Sequence, residues 1–144
     1  MRTWKGGKVK SRILNPKRMK QLIDFAGLEL DGGIYPTDID GFIEYHDSEY
    51  ILIEVKHAKA QVPYGQRLAL QRAVDDFTIS GKDAVAIVCE HHVDDASENV
   101  VAAKCNVREI YYGKEHCWRP PDKPMNVRQA IDSFQLHVKQ NKRR

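Results

Sequence analysis

Glu54-Val55-Lys56 closes an alternating run from Tyr50 to Lys56, and a second alternating run, Asp38 to Tyr45, carries Asp40. With a strand period of two, Ile51, Ile53 and Val55 share one face, and Leu52, Glu54 and Lys56 share the other. In the preceding run Asp38, Asp40, Phe42 and Glu44 lie together, opposite Ile39, Gly41 and Ile43. A hairpin through His46-Asp47-Ser48-Glu49 brings Asp40 and Glu54 to its open end, where both carboxylates can point at one spot. Two carboxylates in such proximity repel unless a cation sits between them, which makes the pair a natural seat for Mg2+. A metal there can polarise a phosphoryl oxygen and bind water, while Lys56 can orient or help deprotonate that water and stabilise charge on the phosphate. Gly41, without a side chain, leaves room for a substrate next to Asp40. The plainer alternative is a hairpin whose polar residues face water, with Glu54 and Lys56 as a weak surface pair. Against it stands the setting of the triplet: it ends an apolar strand, follows an Asp-bearing strand and precedes a helix.

These residues need a sheet and flanking helices to hold them. The spacing predicts a first helix from near Pro16, with Met19, Leu22, Ile23 and Ala26 on one face, weakened at Gly27. Asp31-Gly32-Gly33 reads as a turn, and Ile34-Tyr35 as the remnant of a short strand before Pro36. A second helix is predicted over Tyr64–Ile79, with Leu70, Ala73, Val74 and Phe77 on its apolar face and Gly81 closing it. Ala84 to Cys89 reads as a buried strand, Val100 to Ala103 and Val107 to Tyr112 as further strands, and Val127 to Val138 as a last helix after the break at Arg119-Pro120-Pro121. The order predicts an α/β layered fold with helices flanking a mixed sheet.

A chain of 144 residues with 42% hydrophobic content suffices for one modest core. The expected organisation is a basic arm over 1–15, a single domain over 16–138 with its core in 16–90, and a basic tail over 139–144. The net charge of +3 hides an asymmetry: residues 1–20 hold eight basic side chains and no acid, and the last six residues add four more. The body between them has 20 acidic against 11 basic residues. Lys5, Lys8 and Lys10 in the first arm are candidate phosphate contacts, with Trp4 beside them able to stack on a base. Charged ends that merely aid solubility are the simpler alternative. Cysteines at 89, 105 and 117, with no close-spaced pair, do not form a secreted disulfide framework and fit a reducing cytoplasm. The longest apolar run, Ala84 to Cys89, is too short to span a bilayer, so no membrane partner is expected.

Pro36-Thr37-Asp38-Ile39-Asp40-Gly41 together with Glu54-Val55-Lys56 resembles the signature of the PD-(D/E)XK phosphodiesterases, which include many restriction enzymes, archaeal junction resolvases and phage exonucleases. The resemblance covers about residues 16 to 90 and implies a restriction endonuclease-like αβββαβ core with C-terminal additions. It implies that Asp40 is the first acidic metal ligand, with Asp38 its rival. Glu54 would be the second ligand, the Val55 carbonyl would touch the same Mg2+ (or Mn2+ in its place), and Lys56 would be the catalytic lysine. Hydrolysis would leave a 5′-phosphate. Gln66, Arg67 and Gln71 resemble the glutamine-bearing helix that borders the site in phage relatives and would hold a phosphate or the lysine. Many members supply a further acid from the first helix, where this chain offers only Asp24 or Glu29.

The resemblance therefore implies a metal-dependent DNA endonuclease acting in recombination, repair or phage DNA processing. The small size, with no visible added recognition domain, leads us to expect a structure-selective nicking or junction-resolving activity, and a junction-resolving member would suit a homodimer. A DNA-binding module without catalysis and an RNA-processing nuclease on the same fold are the competing expectations. Cys89, His91, His92, Cys105, His116 and Cys117 have the chemistry for zinc but not its usual spacing. Strand alternation turns His57 away from the Glu54 face. Tyr111, Tyr112 and Trp118 suit either base stacking or packing.

Overall fold

The structure is a computed structural model that describes residues 22–142. The chain divides into a unit ending at Thr37 and another starting at Asp38. In the first unit, residues 22–26 are not helical. The helix expected from Pro16 is therefore absent over its described part, and its start, with Met19, lies outside the described residues. Two local features account for this. Asp24 Oδ1 accepts a hydrogen bond from the Ala26 amide at 2.8 Å, a side-chain turn that competes with helical bonding, and Gly27 adopts φ +86. The strand remnant expected at Ile34 is a single antiparallel bridge, Leu30 with Ile34, around the Asp31-Gly32-Gly33 turn.

The second unit is an α/β structure: a mixed sheet of five strands in the order β1-β2-β3-β4-β5, with two helices. The strands are β1 (Gly41–Tyr45), β2 (Glu49–His57), β3 (Asp83–His91), β4 (Asn106–Tyr112) and β5 (Cys117–Arg119). Helix α1 (Tyr64–Ile79) joins β2 to β3, which pair in parallel, and α2 (Val127–Lys142) follows β5. All other neighbours are antiparallel. Strand β1 starts later than expected, at Gly41, so Asp38 to Asp40 precede the sheet. The run Val100–Ala103 is not a strand; Val100 and Val101 stay exposed, and a single 3-10 turn, Ala102–Lys104, leads into Cys105. A short apolar run without a strand beside it has no ladder to join. Helix α2 extends beyond Val138 to Lys142, with Lys139 and Lys142 in its last turn, where cations complement the helix dipole.

The alternation of β2 builds two layers. Ile51 and Ile53 pack with Val85, Ile87, Phe134 and Val138 under α2, while Leu52 packs with Leu70, Val74, Ala86 and Tyr111 under α1. Leu70 and Val74 are 1% and 0% exposed, and full burial of such side chains contributes roughly 1.5–3 kcal/mol each. Glu54 and Lys56 follow Leu52 on the α1 side, so the helix that completes this core also roofs the polar end of β2. Tyr45 and Glu49 close the β1–β2 hairpin, where His46 and Asp47 take φ 53 and 54. Asp47 is stabilised there by the Tyr50 hydroxyl at 2.8 Å and by Lys82 at 3.2 Å, which hold its carboxyl below the usual range.

Candidate active site

Glu54 lies on β2 beside Val88 of β3, one residue beyond the end of the β1 pairing, and is 3% exposed. One of its oxygens, Oε1, pairs with Lys56 Nζ at 3.1 Å. The other, Oε2, is buried and has no hydrogen-bond partner. Burial raises the Glu54 carboxyl above its ordinary pKa; the Lys56 ammonium opposes that shift, the nearby Asp40 charge adds to it, and the Gln66 amide opposes it. The direction shows that desolvation outweighs the help from lysine, so Glu54 is held in a setting that disfavours its charge. A buried acceptor without a donor costs roughly 1–3 kcal/mol, which is a liability in a purely structural pair.

Asp40 reaches this point from just outside the sheet. The last β1–β2 pair is Gly41 with Ile53, so no β1 residue remains to take the Val55 amide. Asp40 Oδ2 accepts that amide at 2.8 Å, replacing the missing strand partner. In a strand the N–H and C=O of one residue point to the same side, so the Val55 carbonyl faces the side from which Asp40 arrives. Asp38 takes part through its backbone: its carbonyl accepts Gln66 Nε2 at 2.9 Å, tying the first turn of α1 to the segment before β1. Asp40, Glu54, Lys56, Val55 and Gln66 therefore meet, while Asp38 borders the group.

Two of the helix residues are engaged elsewhere. Arg67 forks onto both carboxylate oxygens of Glu109, with one contact at 3.2 Å, and its guanidinium lies 4.5 Å over the Trp118 ring. Gln71 accepts the Trp118 indole N–H at 3.2 Å. Trp118 and Tyr111 thus form a packed wall, their ring centroids 5.3 Å apart. Lys5, Lys8, Lys10 and Trp4 lie outside the described residues.

Three polar residues that the sequence reading passed over adjoin the site. Glu90 is the register partner of Lys56 on β3, and Glu109 lies beside Val88, itself the partner of Glu54. Arg108 donates to the carbonyls of Ala58 and Ala60 at 2.7 Å each and reaches Glu90 at 3.2 Å, clamping the loop between β2 and α1. Glu90 had a signal: it follows the apolar run of β3 at the alternation of Ala86 and Val88, on the face of Glu54.

His57 faces away from Glu54, as alternation requires, and meets Asp94 at 2.9 Å. Cys89 and Cys105 are buried free thiols, and burial pushes Cys89 up to about 12. Among the described residues no group of three or more His, Cys, Asp or Glu side chains gathers to hold a metal. The donors at the site are two carboxylates and a main-chain carbonyl. Such a set suits Mg2+, which keeps several waters and takes one or two carboxylates together with substrate phosphate. A hollow of about 280 Å³ between α2 and the opposite face of the sheet has an apolar side formed by Val85, Ile87, Ile110 and Phe134 and a polar rim where Arg119 pairs with Glu115 and Asp122. No helix among the described residues is long and apolar enough to cross a membrane. No protein-family model, curated protein or solved structure matches this chain.

Proposed function

We propose that the chain is a metal-dependent DNA endonuclease of the PD-(D/E)XK kind, in which Asp40, Glu54 and Lys56 carry the chemistry. The observation that supports this reading above all others is the unpartnered, buried Oε2 of Glu54, with Lys56 on the other oxygen and Asp40 close enough to raise its pKa. The β1–β2 hairpin, the α1 crossover and the parallel β3 follow the order that a restriction endonuclease-like core requires after its first helix and strand.

Asp40, Glu54 and the Val55 carbonyl would hold Mg2+, or Mn2+ in its place. Bound there, the ion would supply Lewis-acid stabilisation of the phosphate. Lys56, as an ammonium paired with Glu54, orients the attacking water through its Nζ and stabilises charge on the phosphate. Gln66 fixes the segment entering β1, and Asp40 fixes the end of the β1–β2 ladder, so the acids are aligned before substrate arrives.

The test is cleavage of labelled duplex, single-stranded, flapped and four-way-junction DNA, and of matching RNA, with and without Mg2+ or Mn2+. Native protein is compared with Asp40→Ala and Lys56→Ala. Metal-dependent cutting that each substitution lowers by about 10²–10³-fold, with binding retained, is the expected result. Binding without cutting on every substrate and with either metal would replace this reading with that of a non-catalytic nucleic-acid-binding module.

A further inference from the structure

Beside the acid–lysine group, on the same face of the sheet, lies a pocket of about 340 Å³ lined by Gln61, Val62, Arg67, Arg108, Glu109 and Pro120. Its place follows from the register. Glu54 pairs with Val88, and Val88 with Glu109, so Glu109 is two strands from Glu54, roughly 10 Å at the usual strand spacing. The volume falls within the range of small-ligand sites.

The charges decide what the pocket suits. Arg67 is spent on Glu109, and Arg108 on Glu90 and two loop carbonyls. Two guanidinium groups against two carboxylates leave no excess positive charge, so the pocket is a poor phosphate trap. Val62 and Pro120 offer apolar walls, and guanidinium planes stack on flat rings. Each Glu109 oxygen keeps a further lone pair after receiving Arg67, and a carboxylate of this kind accepts from the exocyclic amine of a base, as it does from cytosine N4.

We propose that this pocket receives an unpaired nucleobase bearing an exocyclic amino group, from the strand that the neighbouring site would cut; the inference rests on the nuclease reading. Cytosine, adenine and guanine qualify. Thymine and uracil present carbonyls on both sides of their ring N–H, and those oxygens face the Glu109 charge. DNA and RNA share this base chemistry.

The test is separate from cleavage. With chelator present, the full chain is titrated against labelled oligo(dC), oligo(dT) and oligo(dA) of about 12 nucleotides and their RNA counterparts, read by anisotropy. The oligo(dC)–oligo(dT) comparison carries the weight, because both bases are pyrimidines and stack alike. The expected result is about tenfold tighter binding of oligo(dC) than of oligo(dT), with the same order in RNA if the base alone is read. Glu109→Ala removes the acceptor and frees Arg67, so binding of oligo(dT) holds or tightens while the preference collapses. Val62→Trp, which fills the pocket, abolishes the preference by a different route and serves if the first variant does not fold. Equal binding of oligo(dC) and oligo(dT) by the native chain, no binding of either, or a preference that survives both variants overturns the proposal. None of these outcomes touches the nuclease reading, which stands or falls on metal-dependent cutting.

Discussion

Replacing Glu54 by glutamine at neutral pH should make the protein inactive and, at the same time, slightly more stable. The native carboxylate is 3% exposed, one oxygen meets Lys56 at 3.1 Å, and the other meets no donor. Its pKa is raised, burial being the largest cause, so the folded state holds the Glu54 proton more tightly than the unfolded chain does. Stability from this group is present below the unfolded pKa and is lost as pH rises through the folded one. Wherever the carboxyl is ionised in the folded protein, it carries the penalty of a buried charge. The amide introduced by Glu54→Gln still offers Lys56 an oxygen, carries no charge, and leaves an ammonium whose side chain is 20% exposed and can reach water. The amide nitrogen takes the place of Oε2 and is itself a buried polar group, so the gain comes only from removing the charge; set against the loss of the charge-assisted bond to lysine, it is about 1 kcal/mol. For a chain of this size that is about 3 °C in Tm. Chemical denaturation in chelator at several pH values measures it. The advantage should shrink as pH falls, because the native carboxyl then takes up its proton, and added Mg2+ should stabilise the native protein more than the variant. A variant less stable than native by over about 1 kcal/mol at pH 7 would refute the reasoning, because Glu54 would then be a stabilising structural partner of Lys56.

At Mg2+ concentrations below saturation, cleavage should decline on the acid side at a pH above that of an ordinary glutamate, because the raised Glu54 of the metal-free protein must lose its proton before it can hold the ion; a rate profile flat down to the ordinary carboxylate range under those conditions would contradict this. Leu70→Ala, at a site 1% exposed, should cost about 2–5 kcal/mol in urea unfolding. A methyl at Gly113 would stand 1.9 Å from Thr78 Oγ1 and 3.1 Å from Val74 Cγ1, so Gly113→Ala should destabilise by about 1–3 kcal/mol. Thr78→Ala in the same chain should recover part of that loss, and strict additivity would show that the clash is relieved elsewhere. Of the three free thiols, Cys117 alone is exposed, and it should react with a thiol reagent long before Cys89 and Cys105 in the folded protein.

Where the signal was local, the sequence was a good guide. Helix α1 has the predicted bounds, and the alternation of β2 separates Ile51 and Ile53 from Leu52 as expected. These patterns depend on chain periodicity and on a core that takes either face. The first helix misled because periodicity over 16–26 does not register the Asp24 side-chain turn, which satisfies the Ala26 amide without a helix. Val100 to Ala103 misled because a short apolar run does not reveal whether a strand lies beside it. That Asp40 comes to the end of β2 where Glu54 and Lys56 lie was legible from strand alternation and the hairpin. That Asp40 takes the Val55 amide, and that Arg67 belongs to Glu109, depends on partners 15 and 42 residues away. Glu109 and Arg108 acquire their meaning only from strand register, which no single segment encodes.

The clamp by Arg108 also has a consequence in time. Asp40, Glu54, Lys56 and Gln66 lie close together in sequence and can meet early, but the loop carbonyls at Ala58 and Ala60 are held by a residue 50 and 48 positions further on. At synthesis rates of about 5–20 residues per second, Arg108 follows that loop by roughly 3–10 s. During that interval the nascent chain already carries its acids and lysine without the tether that sets the helix roofing them. Completion of the site is thus deferred at least until β4 has been made, because the tie between the loop and the third strand waits for Arg108.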